Sequence, residues 1–339
     1  MSGGWDGFHA AVAEARREVA GHAPDPETAA AGEAYVMRVA TAALADVCLG
    51  HLFVENGLKL ALKARGGPNP DYRIAGAPID PERRYRIEGW LNDSERVGIG
   101  LYALGENAAP IEVGYAAFDR GDSSPDGRFR LDLAANAAGA GTLAIPPEAR
   151  ILISRTLHRT TGQPANLALS GAEPTAGLAL VTGTADGAVD RAAQALLGGV
   201  REYLKWTRAV AAKPNRIEIA PPELAATVQG DRDTHYYLGY YDLVEGEWLE
   251  VTLPQDLPGY WSLHAYNHWF EDLQTTGAHD RNTSPGPDQR IRVAVGADLP
   301  STITNRIDTR GLRRGALICR VIGASDVSVP ATRVVRATR

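Results

Sequence analysis

The chain has 339 residues, 44% of them apolar and 22% charged, which is ordinary globular composition with ample material for a core. A formal net charge of −6 gives no basic footprint for nucleic acid or an anionic membrane. No apolar run approaches the ~20 residues that a membrane span needs, so neither nucleic acid nor membrane is expected as a partner.

Met1 to Ala20 is mixed polar and carries Asp6, Glu14, Arg16, Arg17 and Glu18, unlike a signal peptide, so a cytoplasmic location is expected. A short helix is predicted from Phe8 to Ala20. Asp25-Pro26-Glu27 reads as a helix start: a carboxylate cap, a proline where its missing N–H costs nothing, and an acid in the first turn. Val36, Val39, Ala40, Ala43, Leu44 and Val47 then recur at steps of three and four. Gly50 interrupts, and a second helix is expected to run to about Arg65, closed by Gly66-Gly67-Pro68.

From Tyr72 the pattern becomes short β-rich runs separated by Gly, Pro, Asn and Asp: 85–91, 97–104, 111–118, 129–133, 151–157 and 166–169. Helical periodicity returns over 186–212, where Val189, Ala192, Leu196, Val200 and Leu204 share a face. Past a second linker at Pro221-Pro222, strands are predicted at 234–243, 248–253, 261–269, 291–295, 316–322 and 333–336. Without strand–helix alternation there is no parallel-sheet signal. The fold class expected is mainly β with helical additions, with two β-sandwich or jelly-roll-like regions. The domains expected are a helical segment (1–66), a β-rich domain (67–180), a helical linker (181–214) and a C-terminal β-sandwich (215–339).

The densest chemistry lies between Tyr260 and Asn282, which holds His264, His268 and His279, three of the eight histidines. Read as a strand, Trp261, Leu263 and Ala265 face one way and Ser262, His264, Tyr266 and His268 the other. Such a polar row is either solvent-facing or the wall of a polar pocket, because burying it without partners is costly.

Several segments resemble one known family. They are Tyr237-Leu238-Gly239-Tyr240-Tyr241-Asp242-Leu243, Tyr260-Trp261-Ser262-Leu263, Tyr266-Asn267-His268-Trp269-Phe270-Glu271 and Asp308-Thr309-Arg310-Gly311, with Asn69-Pro70-Asp71-Tyr72 upstream. Together they resemble the domain of unknown function 1214 family. The chain departs from that pattern at Asn305-Arg306-Ile307 and at Pro287-Asp288-Gln289. The resemblance implies a β-sandwich of jelly-roll type and carries no reaction with it.

Histidine titrates near neutrality, and a phenol or carboxylate can orient or assist it. The expected function is therefore an enzyme acting on a small, partly apolar metabolite by acid–base chemistry, in hydrolysis or elimination. Its catalytic candidates are His264, Tyr266, His268 and Glu271. Tyr240, Trp269, Asp308 and Arg310 are the candidate substrate-binding residues. The alternative is a non-catalytic protein that binds a small molecule or carbohydrate, with the tyrosines and tryptophans as a platform.

No metal or cofactor is expected. His264 and His268 would stand about 13 Å apart on a strand, at about 3.3 Å per residue, and no H-x-H or H-E-x-x-H spacing occurs. No G-x-S-x-G elbow is present. Arg155 and His158, beside Thr156 and Thr160, offer an anion clamp at a strand end, against the plainer reading of structural pairing. Cys48 and Cys319, each in an apolar stretch, read as buried free thiols. A homo-oligomer is left open.

Overall fold

The structure is a computed structural model that describes residues 4–62, 66–105, 110–171, 185–221, 231–254, 257, 259–297, 299–323 and 328–336. The helix end expected near Arg65, the boundary at 180–181 and Pro222 lie outside these residues.

Asp25 caps a helix as its sequence demands, its Oδ1 accepting from the Thr28 amide at 2.7 Å. That helix, α2 (Pro26–Cys48), packs its Tyr35, Val36, Val39 and Ala43 stripe against Phe8, Ala11, Ala15 and Val19 of α1 (Trp5–Ala20). The long α3 (Ala185–Ala211) completes this layer through Val189, Ala192, Leu196 and Val200. No helix among the described residues is long and apolar enough to cross a membrane.

The second N-terminal helix expected after Gly50 is not formed. A 3-10 turn at Gly50–Phe53 leads into β1 (Val54–Glu55) and β2 (Leu58–Leu60), joined by Asn56-Gly57. Both turn residues take positive φ, 50° and 83°, the geometry of a two-residue hairpin that matches strand twist. Here an Asn-Gly dipeptide outweighs the helical spacing of its neighbours. The helical segment therefore ends earlier than residue 66, and these strands join the first β layer. Cys48 is a second correction: it sits exposed at the end of α2, past the packed stripe, whereas Cys319 is buried.

The first sandwich comprises β1, β2, β3 (Tyr72–Pro78), β4 (Tyr85–Trp90), β5 (Arg96–Leu104), β6 (Pro110–Asp119), β7 (Arg128–Ala134), β8 (Thr142–Ala144), β9 (Ile151–Leu157) and β10 (Asn166–Ser170). One sheet has the order β1-β2-β3-β9-β5-β6 and the other β10-β4-β7-β8. Ile87, Val97, Ile99, Leu101, Leu131 and Leu152 fill the space between them.

The second sandwich comprises β11 (Arg216–Ile219), β12 (Thr234–Asp242), β13 (Glu247–Thr252), β14 (Trp261–Ala265), β15 (Ala278–His279), β16 (Arg292–Gly296), β17 (Arg306–Asp308), β18 (Arg314–Ile322) and β19 (Ala331–Arg336). Its sheets run β11-β12-β18-β14-β15 and β17-β16-β13-β19. Tyr237, Tyr241, Trp261, Leu263, Leu317 and Cys319 of the five-stranded sheet face Leu249, Val251, Val293 and Val295 of the other. The mainly β architecture with a helical layer is thus the one expected.

The outer face of the five-stranded sheet is also covered. One half carries Leu238, Tyr240, Ala316 and Ile318, and the C-terminal end of α3 lies on it through Trp206 and Val210. The other half carries Tyr236, Ser262, His264, Arg320 and Ile322 and meets the six-stranded sheet, where Ile322 and Tyr260 touch Tyr72 and Leu157. Few apolar side chains are available on that half, so the two sandwiches meet through polar groups.

Trp269, expected as a substrate platform, is instead the plug between the helices and the second sandwich. It is 1% exposed, stacks on Tyr35 with centroids 6.0 Å apart, and donates from Nε1 to the Thr28 carbonyl at 3.1 Å. Gly32 makes room for it, since a Cβ there would sit 2.9 Å from the indole. Trp269→Ala should lower unfolding free energy by about 3–5 kcal/mol in urea denaturation. A loss within experimental error would mark the indole as free to serve a ligand.

Candidate functional site

Strand β14 presents Ser262 and His264 on its outer face, toward the segment that enters β3 from the first sandwich. Asn69-Pro70-Asp71 forms a tight turn there, in which the Asp71 amide donates to Asn69 Oδ1 at 3.0 Å. The Asp71 carbonyl accepts from the His158 amide at 2.8 Å, which pins the turn to the end of β9.

Asp71, Tyr260, Ser262 and His264 converge on this point, with Asn69 beside them. The Tyr260 hydroxyl donates to Asp71 Oδ2 at 2.6 Å, lies 2.8 Å from Ser262 Oγ, and accepts from Asn69 Nδ2 at 3.0 Å. His264 Nε2 stands 3.9 Å from Asp71 Oδ1, with the imidazole 3% exposed and the carboxylate 11%. The ring fits only because residue 277 is glycine: a Cβ there would sit 2.2 Å from His264 Cδ2. Burial, and then the Asp71 charge, holds the Tyr260 phenol well above its ordinary range. His279, paired with Ser262 across β15, is pushed below the usual histidine value by burial.

Toward solvent the cluster is closed by Arg159. Its guanidinium lies 4.8 Å over the Tyr260 ring and pairs with Glu95 and Asp280. Arg281 reaches Glu95 at 3.0 Å. Beyond these groups opens a cleft of about 760 Å³ lined by Ser94, Glu95, Thr160 and Arg281 among others. Cation, carboxylate, imidazole and phenol thus run from this cleft into the joint between the sandwiches.

The four catalytic candidates are not brought together. Strand β14 ends at Ala265, and Asn267 then organises a turn by accepting from the Trp269 and Glu271 amides at 2.9 Å each. Phe270, at φ 58°, completes it. The alternation that would have placed His268 beside His264 stops there.

Tyr266 remains on the outer face but is wholly buried. It donates to the Pro68 carbonyl at 2.8 Å and accepts from Arg320 at 3.1 Å. His268 turns into the helical layer, its Nδ1 2.6 Å from the Tyr240 hydroxyl. Tyr240 is thereby part of the packing under α3, at 3% exposure, and not of an open binding wall. Glu271 forms a two-pronged ion pair with Arg38 of α2 at 2.6 and 2.7 Å.

Asp308 and Arg310 lie at a separate, smaller cleft of about 450 Å³ with Gln274 and Thr276. There Asp308 accepts from the Arg310 amide at 2.7 Å, and Arg310 donates to the Gln274 carbonyl at 2.9 Å. Arg155 and His158, expected as one clamp, face different partners: Arg155 bonds Tyr102, and His158 lies 3.2 Å from Ser94 Oγ. Three residues apart on an extended segment, they point to opposite sides. No cluster of three or more His, Cys, Asp or Glu suited to a metal ion occurs among the described residues.

Asp71, Tyr260 and Arg159 are the members that sequence reasoning missed. Asp71 and Tyr260 lie 189 positions apart, and no local pattern links them. The one cue was Asn-Pro-Asp, a turn signal that fixes a carboxylate at a strand entrance.

No family model matches the chain, and no curated protein does. Among solved structures, an uncharacterised protein from Burkholderia cenocepacia is 24% identical, covering 98% of this chain and 96% of its own, with a TM-score of 0.82. The two share the fold. The VPA0106 protein from Vibrio parahaemolyticus aligns at 12% identity over 89% of this chain and 100% of its own, with a TM-score of 0.49.

Burial lowers the His268 pKa to about 4. The folded value lies below the unfolded ~6.5, so the unfolded chain binds the extra proton. His268 therefore costs nothing above pH ~6.5, and stability falls as pH drops from there toward 4, by about 3 kcal/mol in full. Urea denaturation at pH 7.5 and pH 4.5 should show a smaller loss for His268→Gln than for the parent. Equal losses would contradict the burial argument.

Proposed function

We propose that the chain is an enzyme acting on a small, partly apolar metabolite by acid–base chemistry, in hydrolysis or elimination, at the cluster of Asp71, Tyr260, Ser262 and His264. The observation that carries this reading is the meeting of carboxylate, imidazole, phenol and hydroxyl from two sandwiches, buried together beside an open cleft. At 3.9 Å the His264–Asp71 pair is too long for a direct hydrogen bond. A hydroxyl or water placed between them would be bonded by both.

In this reading His264 moves the proton, and Asp71 orients it and stabilises the charge that it gains. Tyr260 stays protonated and fixes Asp71, so it is a positioning residue. Arg159, paired with Glu95 and Asp280, and Arg281, paired with Glu95, close the cluster at the cleft and leave the charge there near balance. Tyr266, His268 and Glu271 are given no catalytic role, because each is committed to a structural partner.

The second reading is a non-catalytic small-molecule or carbohydrate binder. It is favoured by one observation: Tyr260 is already engaged by three protein groups, as a scaffold would be.

Native mass spectrometry of freshly purified protein, followed by turnover assays on any molecule that co-purifies and on a metabolite panel, separates the readings. Turnover by the parent should fall about 10²–10⁴-fold in His264→Gln and remain near the parent level in His268→Gln. Undiminished turnover in His264→Gln would remove the cluster from the mechanism. Tight binding without conversion would favour the second reading.

A further inference from the structure

The reacting groups of the cluster are sealed. Tyr260 is 6% exposed, His264 3% and Ser262 0%, while the cleft beside them is lined by Glu95 and Arg281. A substrate in that cleft reaches the His264 imidazole only if part of the wall between them moves.

One side of the wall belongs to the first sandwich and is firmly held. Glu95 enters β5 and Arg159 follows β9, and these two strands pair from Arg96–Leu157 to Tyr102–Ile151. The Glu95 amide donates to the Leu157 carbonyl at 3.0 Å. Arg159 Nε donates to Glu95 Oε1 at 2.7 Å, and the guanidinium is buried over the Tyr260 ring.

The other side is a turn of the second sandwich and is lightly held. It grows from β15, a two-residue strand at the end of its sheet, paired with β14 through Ser262–His279 and Leu263–Ala278. The turn is closed on itself. Thr283 Oγ1 donates to the His279 carbonyl at 2.9 Å, Asn282 Nδ2 to the Gly277 carbonyl at 2.8 Å, and the His279 amide to Asn282 Oδ1 at 2.8 Å. These bonds let it move as one piece. At its far end Ser284 is clamped by Asn305 through bonds of 2.9 and 2.7 Å. At its near end Gly277 lies against the His264 ring, so this segment is the neighbour of His264 and Ser262 toward the sheet edge.

Among the described residues, two ion pairs tie the turn to the first sandwich: Asp280 to Arg159, and Arg281 to Glu95 at 3.0 Å. The Asp280 and Arg281 side chains are partly open to water, so these pairs are weak and screened by salt. Releasing them leaves the Arg159–Glu95 pair and the bonds within the turn intact.

We infer that residues 277–283 form an ion-latched strap that swings aside to let a substrate pass from the cleft to His264. Asp280 on Arg159 and Arg281 on Glu95 hold it shut. The inference rests on the reading that the chemistry sits at His264, yet opening is measured without turnover.

The test is footprinting of the full chain at pH 7.5 with diethyl pyrocarbonate, which acylates the neutral imidazoles it can reach, read by peptide mass spectrometry. In the double variant Asp280→Asn/Arg281→Gln, His264 should be modified about tenfold faster than in the parent, for the loss of two partly exposed pairs. His268, neutral at this pH and buried in the helical layer, is the control, and its rate should not change. Raising NaCl from about 0.05 M to about 1 M should speed His264 modification several-fold in the parent and leave the double variant nearly unaffected. Equal His264 rates in parent and variant would overturn the inference. So would a His268 rate that rises in step with His264, or an equal salt response in both proteins. A strap that opens as described, beside a His264 whose replacement leaves turnover undiminished, would refute the catalytic reading alone.

Discussion

The hydrogen bond from Tyr260 to Asp71, 2.6 Å long and nearly out of reach of solvent, is the contact on which the arrangement of the chemistry rests. It joins the second sandwich to the turn that opens β3 of the first. Hydrogen bonds to a charged group are among the stronger ones, and at low exposure they are little screened. Asn69, Ser262 and Arg159 gather around the same phenol. The His158 amide holds the same turn to the first sandwich, and Tyr266 and Arg320 hold the Gly67-Pro68 segment before it to the second, so the Tyr260 bond is the one that fixes the Asp71 carboxylate itself.

Why that surface is polar follows from the way the five-stranded sheet is shared. Its inner face is apolar and closes the second sandwich. Its outer face is divided between α3, which takes the apolar half, and the six-stranded sheet, which takes the half bearing Ser262, His264, Tyr236 and Arg320. Two sandwiches held by a polar joint have less apolar burial between them than within them. The joint is consequently where arginines, tyrosines and carboxylates must satisfy one another.

Much of the fold was legible because the physics was local. The Asp25-Pro26 cap, the stripe of α3 and the spaced strands from Tyr85 onward each carry their own periodicity. The departures have equally local causes: Asn56-Gly57 makes a hairpin turn where the spacing of its neighbours predicts helix, and the Asn267 turn ends a strand that alternation alone extends to Trp269. The region of the site was legible too, since Ser262 and His264 do share a polar face. Its partners were not. Asp71 reaches His264 only through the packing of one sandwich on the other, and nothing in the spacing of residues 260–282 encodes that. His268, Glu271 and Trp269 drew attention because ionisable and aromatic residues cluster there, yet they serve to anchor α2 and α3 to the second sandwich.

A double-mutant cycle on stability tests the central claim most directly: Asp71→Asn, Tyr260→Phe and the pair, each measured by urea denaturation at pH 7. If the bond joins the sandwiches as described, the two changes will be coupled by about 1–3 kcal/mol. Additivity within about 0.3–0.5 kcal/mol would mean that the groups do not act on one another, and the site built around them would fall with it.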